Sequence, residues 1–122
     1  MAKQTPEGRV KDAMRKAFKE FHPEAFVFLP ASGVMGSNGI PDFVCCVPLE
    51  ITQDMVGETV GIFAGVEAKT TAGKLSDLQR DKLNKISDAS GVACLVWGSD
   101  DARPKISNML NTIHQPFDES KP

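Results

Sequence analysis

Hydrophobic positions along the chain change period several times, and each change marks an element. Thr5-Pro6 supplies an N-cap followed by a proline suited to the first helical position. Apolar residues then recur at Val10, Ala13, Met14, Ala17, Phe18 and Phe21, which is helical spacing, and Pro23 ends the helix. Ala25–Leu29 reads as a short strand stopped by Pro30, and residues 31–39 as a Gly/Ser-rich loop. Phe43–Leu49 is almost continuously apolar, as for a strand buried on both faces. Residues 50–58 are polar and read as a turn. Thr59–Val66 predicts a third strand, in which Gly61 and Gly65 leave room for a close backbone approach.

After a connecting loop over residues 70–74, Ser76-Asp77-Leu78-Gln79 matches a capping box, with Ser76 at the N-cap and Gln79 at N3. The helix it opens is expected to run to about Ala89, burying Leu78, Leu83 and Ile86, before Ser90-Gly91 stops it. Val92–Trp97 reads as a fourth strand, residues 98–101 as a turn, and residues 102–113 as a final helix. The order α-β-β-β-α-β-α predicts an α/β domain, a mixed sheet with helices packed on it. One domain over residues 1–114 and a frayed tail over residues 115–122 are expected.

Composition excludes several classes. The 122 residues are 41% apolar and 25% charged, as in an ordinary globular domain, and no apolar run approaches the ~20 residues that span a bilayer. The N-terminal stretch lacks the apolar segment of a signal peptide, so a cytoplasmic location is expected. Three cysteines, Cys45, Cys46 and Cys94, lie in apolar runs and make no disulfide framework; no Cys/His spacing suggests zinc.

Charge is unevenly distributed behind a net value of −2. Residues 1–22 carry six Lys/Arg against three acids, and residues 69–85 carry five against two. Residues 38–68 carry five acids (Asp42, Glu50, Asp54, Glu58, Glu67) and no base. An acidic middle between two basic helices fits a metal site bordered by phosphate contacts. It also fits solvated helix lysines and acidic loop tips.

The candidate chemistry is a split constellation: Gly39-Ile40-Pro41-Asp42 at the start of one predicted strand, and Val66-Glu67-Ala68-Lys69 at the end of another. In an extended chain Glu67 and Lys69 share a face. Two carboxylates and an amine at strand ends suit a hard divalent cation and an attacking water, the requirements of phosphodiester hydrolysis. Taken singly, Asp42 is also a turn aspartate and Glu67 with Lys69 a surface pair. Glu7 lies on the apolar side of the first helix, either as a third carboxylate aimed at the metal or as an acid favoured by the helix dipole. Gln79 caps its helix and could also orient substrate. Lys74 and Arg80 are candidates for DNA phosphate contacts. His22 and His114 read as structural or surface residues, and no catalytic triad, P-loop or dinucleotide motif is present.

Asp42 after Gly39-Ile40-Pro41, the Glu67-Ala68-Lys69 triplet and the Leu75-Ser76-Asp77-Leu78-Gln79 helix start resemble the PD-(D/E)XK nuclease superfamily, and within it the small stand-alone VRR-NUC nucleases of phages and bacteria. The resemblance covers roughly residues 5–97. It implies an α-β-β-β-α-β core and a Mg²⁺- or Mn²⁺-dependent deoxyribonuclease that resembles Holliday-junction resolvases, acts on branched DNA as a homodimer, and works in a bacterial or phage-infected cell. It further implies that Asp42, Glu67 and the Ala68 backbone carbonyl bind the metal. Glu7 would complete the shell directly or through water, Lys69 would orient or activate the attacking water, and Gln79 would position substrate or water. Sequence-specific cleavage, dependence on a partner protein, and a non-catalytic DNA-binding module on the same fold remain as alternatives.

Overall fold

The computed structural model describes residues 4–30, 39 and 41–122. The loop expected over residues 31–39, and Ile40 beside it, fall outside the described residues apart from Gly39. Three helices and four short strands form a mixed α/β arrangement: α1 (Pro6–Phe21), β1 (Phe26–Phe28), β2 (Val44–Cys46), β3 (Ala64–Lys69), α2 (Asp77–Asp88), β4 (Val92–Trp97) and α3 (Ser99–Ser107). Single 3-10 turns lie at Gln53–Met55 and Met109–Thr112. No helix among the described residues is long and apolar enough to cross a membrane.

Among the described residues the strands pair two by two, where the sequence predicts one mixed sheet. β1 runs antiparallel to β2, with Phe26 opposite Cys46 and Phe28 opposite Val44. β3 runs parallel to β4, with Ala64 opposite Val92 and Lys69 opposite Trp97. The first ladder stays short because Pro30 and Pro48, which have no N–H to donate, stand two residues beyond its ends. The strand predicted over Phe43–Leu49 therefore contracts to Val44–Cys46, leaving Val47 and Leu49 exposed.

The third strand is displaced from its predicted place. It starts at Ala64 rather than Thr59 and continues to Lys69. Its partner sets these limits: β4 cannot begin before α2 has ended, and Val92 N–H already reaches back to Phe63 O at 2.9 Å. Glu67 thus lies inside the strand, not at its end.

The core is built on β4. Val92, Cys94, Leu95, Val96 and Trp97 are all buried, as befits a parallel strand with α2 and α3 packed against it. Leu95 and Val92 are fully buried, each contributing about 1.5–3 kcal/mol. From α2, Leu83 and Ile86 enter this core. Gly65 lets the helix come close, since a Cβ there would lie 2.6 Å from Ile86 Cδ1. The expectation that Leu78 is buried fails: it stands at the second helical position, about 100° around the helix from the Gln79–Leu83–Ile86 stripe, and is exposed.

Both ends of α2 follow the sequence. Ser76 and Gln79 form the reciprocal capping box. At the other end Ser90 N–H donates to Ser87 O and Gly91 N–H to Ile86 O, with Ser90 at φ +71°. This is the paired bonding of a Schellman motif with serine in the left-handed position.

The final helix begins at Ser99, three residues before its predicted start, and ends at Ser107. Asp101 explains the shift. Its buried carboxylate accepts from Trp97 N–H at 2.8 Å and lies 3.4 Å from Lys105 Nζ, which also donates to Leu95 O. Asp101 so ties strand end to helix start, and what reads as a turn becomes the first helical turn.

Helix α1 ends on schedule but buries none of its residues, and Val10, Met14 and Phe21 stay exposed. Its tertiary anchors include Phe18 stacked on Phe43, with ring centres 5.9 Å apart, and Lys11 4.0 Å from Asp42.

Candidate functional site

Two candidate residues, Glu67 and Gln79, meet where β3 passes the start of α2, with Lys69 on the same face of the strand two residues further on. Burial alternates along β3: Val66 and Ala68 face outward, whereas Gly65, Glu67 and Lys69 face α2 and are half-buried. The capping box fixes where α2 begins and so aims Gln79 at the strand. Gln79 Nε2 donates to Glu67 Oε1 at 2.9 Å, while Gln79 Oε1 accepts from Ser76 N–H at 3.0 Å. Both ends of the amide are engaged, so the cap and the acidic site share one side chain.

Glu67 and Lys69 share a face without forming an ion pair. Among the described residues no carboxylate lies within 4.0 Å of Lys69 Nζ, and Gln79 is the hydrogen-bond partner of Glu67. A surface pair would neutralise both groups. Here an ammonium and a carboxylate stand side by side with capacity left for a third participant. The main chain continues this arrangement, since Gly98 N–H donates to Lys69 O at 2.7 Å and anchors the strand end to the β4–α3 junction. Gly98 has φ +80° and a Cβ there would lie 2.9 Å from Thr71 Cγ2, so glycine is required for this join.

Asp42 stands two residues before β2 with its side chain 62% exposed, 4.0 Å from Lys11 Nζ. Lys11 is a site neighbour that the sequence reading missed. It lies four residues after Glu7, on one row of α1 with it, but among so many helix lysines it reads as solvated. Glu7 itself is exposed in the first turn of α1. Among the described residues no group of three or more His, Cys, Asp or Glu side chains could hold a metal ion, so Glu7, Asp42 and Glu67 do not converge into a three-carboxylate cage. Asp42 is placed beside Lys11 and Glu67 beside Gln79, and no contact among the described residues brings the two carboxylates together; they and the Ala68 backbone carbonyl are nonetheless all oxygen donors. That chemistry fits Mg²⁺ or Mn²⁺, which retain several waters beside few protein ligands.

Of the two basic candidates, Lys74 is exposed. Arg80 is engaged from two sides: Nη1 lies 2.8 Å from Asp77 Oδ1 and Nε 2.7 Å from Glu119 Oε2, which together raise its pKa, Glu119 most strongly. Glu119 belongs to the tail, whose Lys121 Nζ donates to Thr71 O at 2.8 Å and sits 4.6 Å above the Trp97 ring. Trp97 Nε1 is buried without a hydrogen-bond partner among the described residues. The tail residues therefore lie against both ends of the β3–α2 connection, two residues from Lys69 and one from Gln79. The sequence offers no periodicity to announce this.

His22 and His114 lie at element ends and meet none of the candidate residues. No family model, no curated protein and no solved structure matches the chain.

Proposed function

We propose that this protein is a metal-dependent DNA endonuclease of PD-(D/E)XK type, resembling the stand-alone VRR-NUC nucleases. The observation that carries the reading is the Glu67–Lys69 face of β3: two half-buried, oppositely charged groups that do not pair, with Gln79 clamped to the carboxylate. A surface ion pair would leave them bonded to each other. A hydrolytic role needs them apart, with the attacking water and the phosphate between.

Asp42, Glu67 and the Ala68 carbonyl would hold Mg²⁺ or Mn²⁺, with Glu7 joining through water, and the ion would acidify a bound water and offset charge on the phosphate. Lys69 holds the attacking water by hydrogen bonding and places a compact cation where negative charge builds on the phosphoryl oxygens. Gln79 fixes one Glu67 oxygen by donating to it, which leaves the other free to take a ligand. Lys74 contacts the backbone of the DNA, and Arg80 does so once its own acids release it.

Branched DNA, such as a Holliday junction, is the substrate class that fits best. The described residues form no separate DNA-reading module, and a symmetric homodimer presents two such sites at fixed spacing to two near-equivalent strands. The exposed apolar residues of α1 and of the segment between β2 and β3, Leu49, Ile51, Val56 and Val60, supply surface for a second copy. A second reading, activity only with a partner protein, is favoured by the acidic balance of the chain and by the occupied Arg80.

The test is parallel cleavage of a four-way junction, a flap and linear duplex with Mg²⁺, Mn²⁺ or EDTA, using the parent and Lys69→Ala. Metal-dependent cutting of branched DNA, lost in the variant, is the expected result. Folded protein that cuts nothing overturns it in favour of the partner-dependent or binding-only readings.

A further inference from the structure

On another part of the surface, the C-terminal half of α1, β1 and the middle of α2 enclose a cleft of about 550 Å³. Its apolar lining includes Phe18, Phe26, Val27 and Leu29, with the Phe26 ring itself packed on Phe63, ring centres 5.9 Å apart. Its walls carry Arg15 and Lys19 from α1, and Lys82 and Lys85 from α2, against Glu24 and Asp88. The cleft is thus positive by two charges in a chain whose net charge is −2.

The cations are placed at some cost. Arg15 and Lys19 are spaced i, i+4 and Lys82 and Lys85 i, i+3, so each helix brings like charges together on one row. The two rows then converge on one cleft. Arg15 pairs with Asp12 at 2.7 Å and Lys85 with Asp81 at 3.0 Å, both acids outside the lining. Among the described residues no carboxylate lies within 4.0 Å of Lys19 or Lys82. Two exposed ammonium groups without a carboxylate partner, one from each helix, border a cleft whose lining includes aromatic residues, and so suit an anion that also carries flat apolar surface.

We propose that this cleft is a binding subsite for single-stranded nucleic acid, with phosphates on Lys19 and Lys82 and a base against the Phe18 ring. Aromatic stacking and a basic groove together are what sequence-tolerant strand binding requires. Phe18 is suited to the role because Phe43 stacks on it at 9° and fixes the ring. Such a subsite deepens the nuclease reading, and rests on it for its purpose: branched DNA offers unpaired bases near the branch, and the cleft would hold that arm while the Glu67–Lys69 face meets the strand to be cut.

The experiment measures binding and needs no cleavage, so it fails or succeeds apart from the nuclease reading. A fluorescent oligothymidylate of about twelve nucleotides is titrated in EDTA, by anisotropy, across a salt series. The proteins are the parent, Lys19→Glu/Lys82→Glu, and a control with the same charge change outside the cleft, Lys16→Glu/Arg103→Glu. All four side chains are exposed, so folding is expected to survive, and circular dichroism checks it. The expected result is saturable binding by the parent, at least tenfold weaker in the cleft variant, with the log–log salt slope reduced by about 1.4 for two lost single-strand phosphate contacts, and little change in the control. Equal weakening in cleft variant and control, or no binding by the parent, overturns the subsite. Binding retained by the cleft variant overturns it as well.

Discussion

Gln79 and Glu67 are joined by a 2.9 Å hydrogen bond from the Gln79 amide, and the same side chain closes the capping box of α2 through Ser76 N–H at 3.0 Å. The two functions separate by substitution. Gln79→Ala loses both bonds and is expected to cost about 1 kcal/mol of stability. Gln79→Glu keeps an acceptor for Ser76 N–H, and its charge is favoured at a helix N-terminus. It replaces a donor to Glu67 with a second carboxylate, so unfolding should change by less than about 1 kcal/mol while cleavage falls at least tenfold. Equal activity in Gln79→Glu and parent would show that the amide serves the helix alone.

The unpaired state of Lys69 predicts a clean separation of chemistry from folding. With no carboxylate within 4.0 Å, Lys69→Ala removes no ion pair. Cleavage should vanish while the thermal midpoint and junction binding hold. Asp42 is 62% exposed and 4.0 Å from Lys11, so Asp42→Asn should likewise cost little stability. It should lose metal binding and activity together, seen as a Mn²⁺ titration that no longer saturates in the parent's range. Parent-like cutting by either variant would move the active site elsewhere.

Arg80 is held by Asp77 and by Glu119 of the tail. A guanidinium neutralised twice grips phosphate weakly, so the tail acid competes with DNA for it. Glu119→Gln is expected to tighten duplex and junction binding and to steepen the log–log salt slope by up to about 0.9, one duplex phosphate contact. Arg80→Ala in the same background should remove that gain. No change in slope for Glu119→Gln would assign Arg80 to holding the tail.

These sites differ in how far the sequence discloses them, and the difference is physical. The α2 cap is local: four consecutive residues specify it, and Ser76 and Gln79 bond as their spacing requires. The β4 run is continuously apolar because helices pack on it, and all but Ala93 is buried. The bounds of β3 depend on a partner strand 28 residues further on in sequence, so the pattern starts it five residues early and puts Glu67 at its end. Helix α1 carries a regular apolar stripe that predicts burial, yet it buries no residue, because periodicity marks a face without saying what covers it. Asp101 looks like a turn aspartate until Trp97 N–H and Lys105 are seen around it. The Arg80–Glu119 contact joins residues 39 apart in sequence through a charged hydrogen bond, a class of contact with no period to detect.

The buried thiols give a pH prediction independent of function. Burial pushes Cys46 and Cys94 above the ordinary cysteine pKa; for Cys46 the neighbouring Cys45 adds to this, and for Cys94 Lys105 opposes it and Asp101 adds to it. Cys46 Sγ also donates to Ala89 O at 3.4 Å, a bond that only the thiol makes. The folded protein therefore holds these protons at pH values where the unfolded chain releases them. Stability from this source is intact below the unfolded cysteine pKa of about 8.5 and is lost as pH climbs through the raised folded values. Urea unfolding at pH 7.5 and 9.5 should show a falling midpoint, with a smaller fall in Cys94→Ala, whatever that substitution costs at pH 7.5. Thiol labelling should follow the same order, Cys45 reacting in the folded protein and Cys46 and Cys94 only on unfolding, because Cys45 alone of the three is not buried. A midpoint that is level across this range, or fast labelling of Cys94 in the native protein, would mean that β4 opens to solvent far more readily than its packing allows.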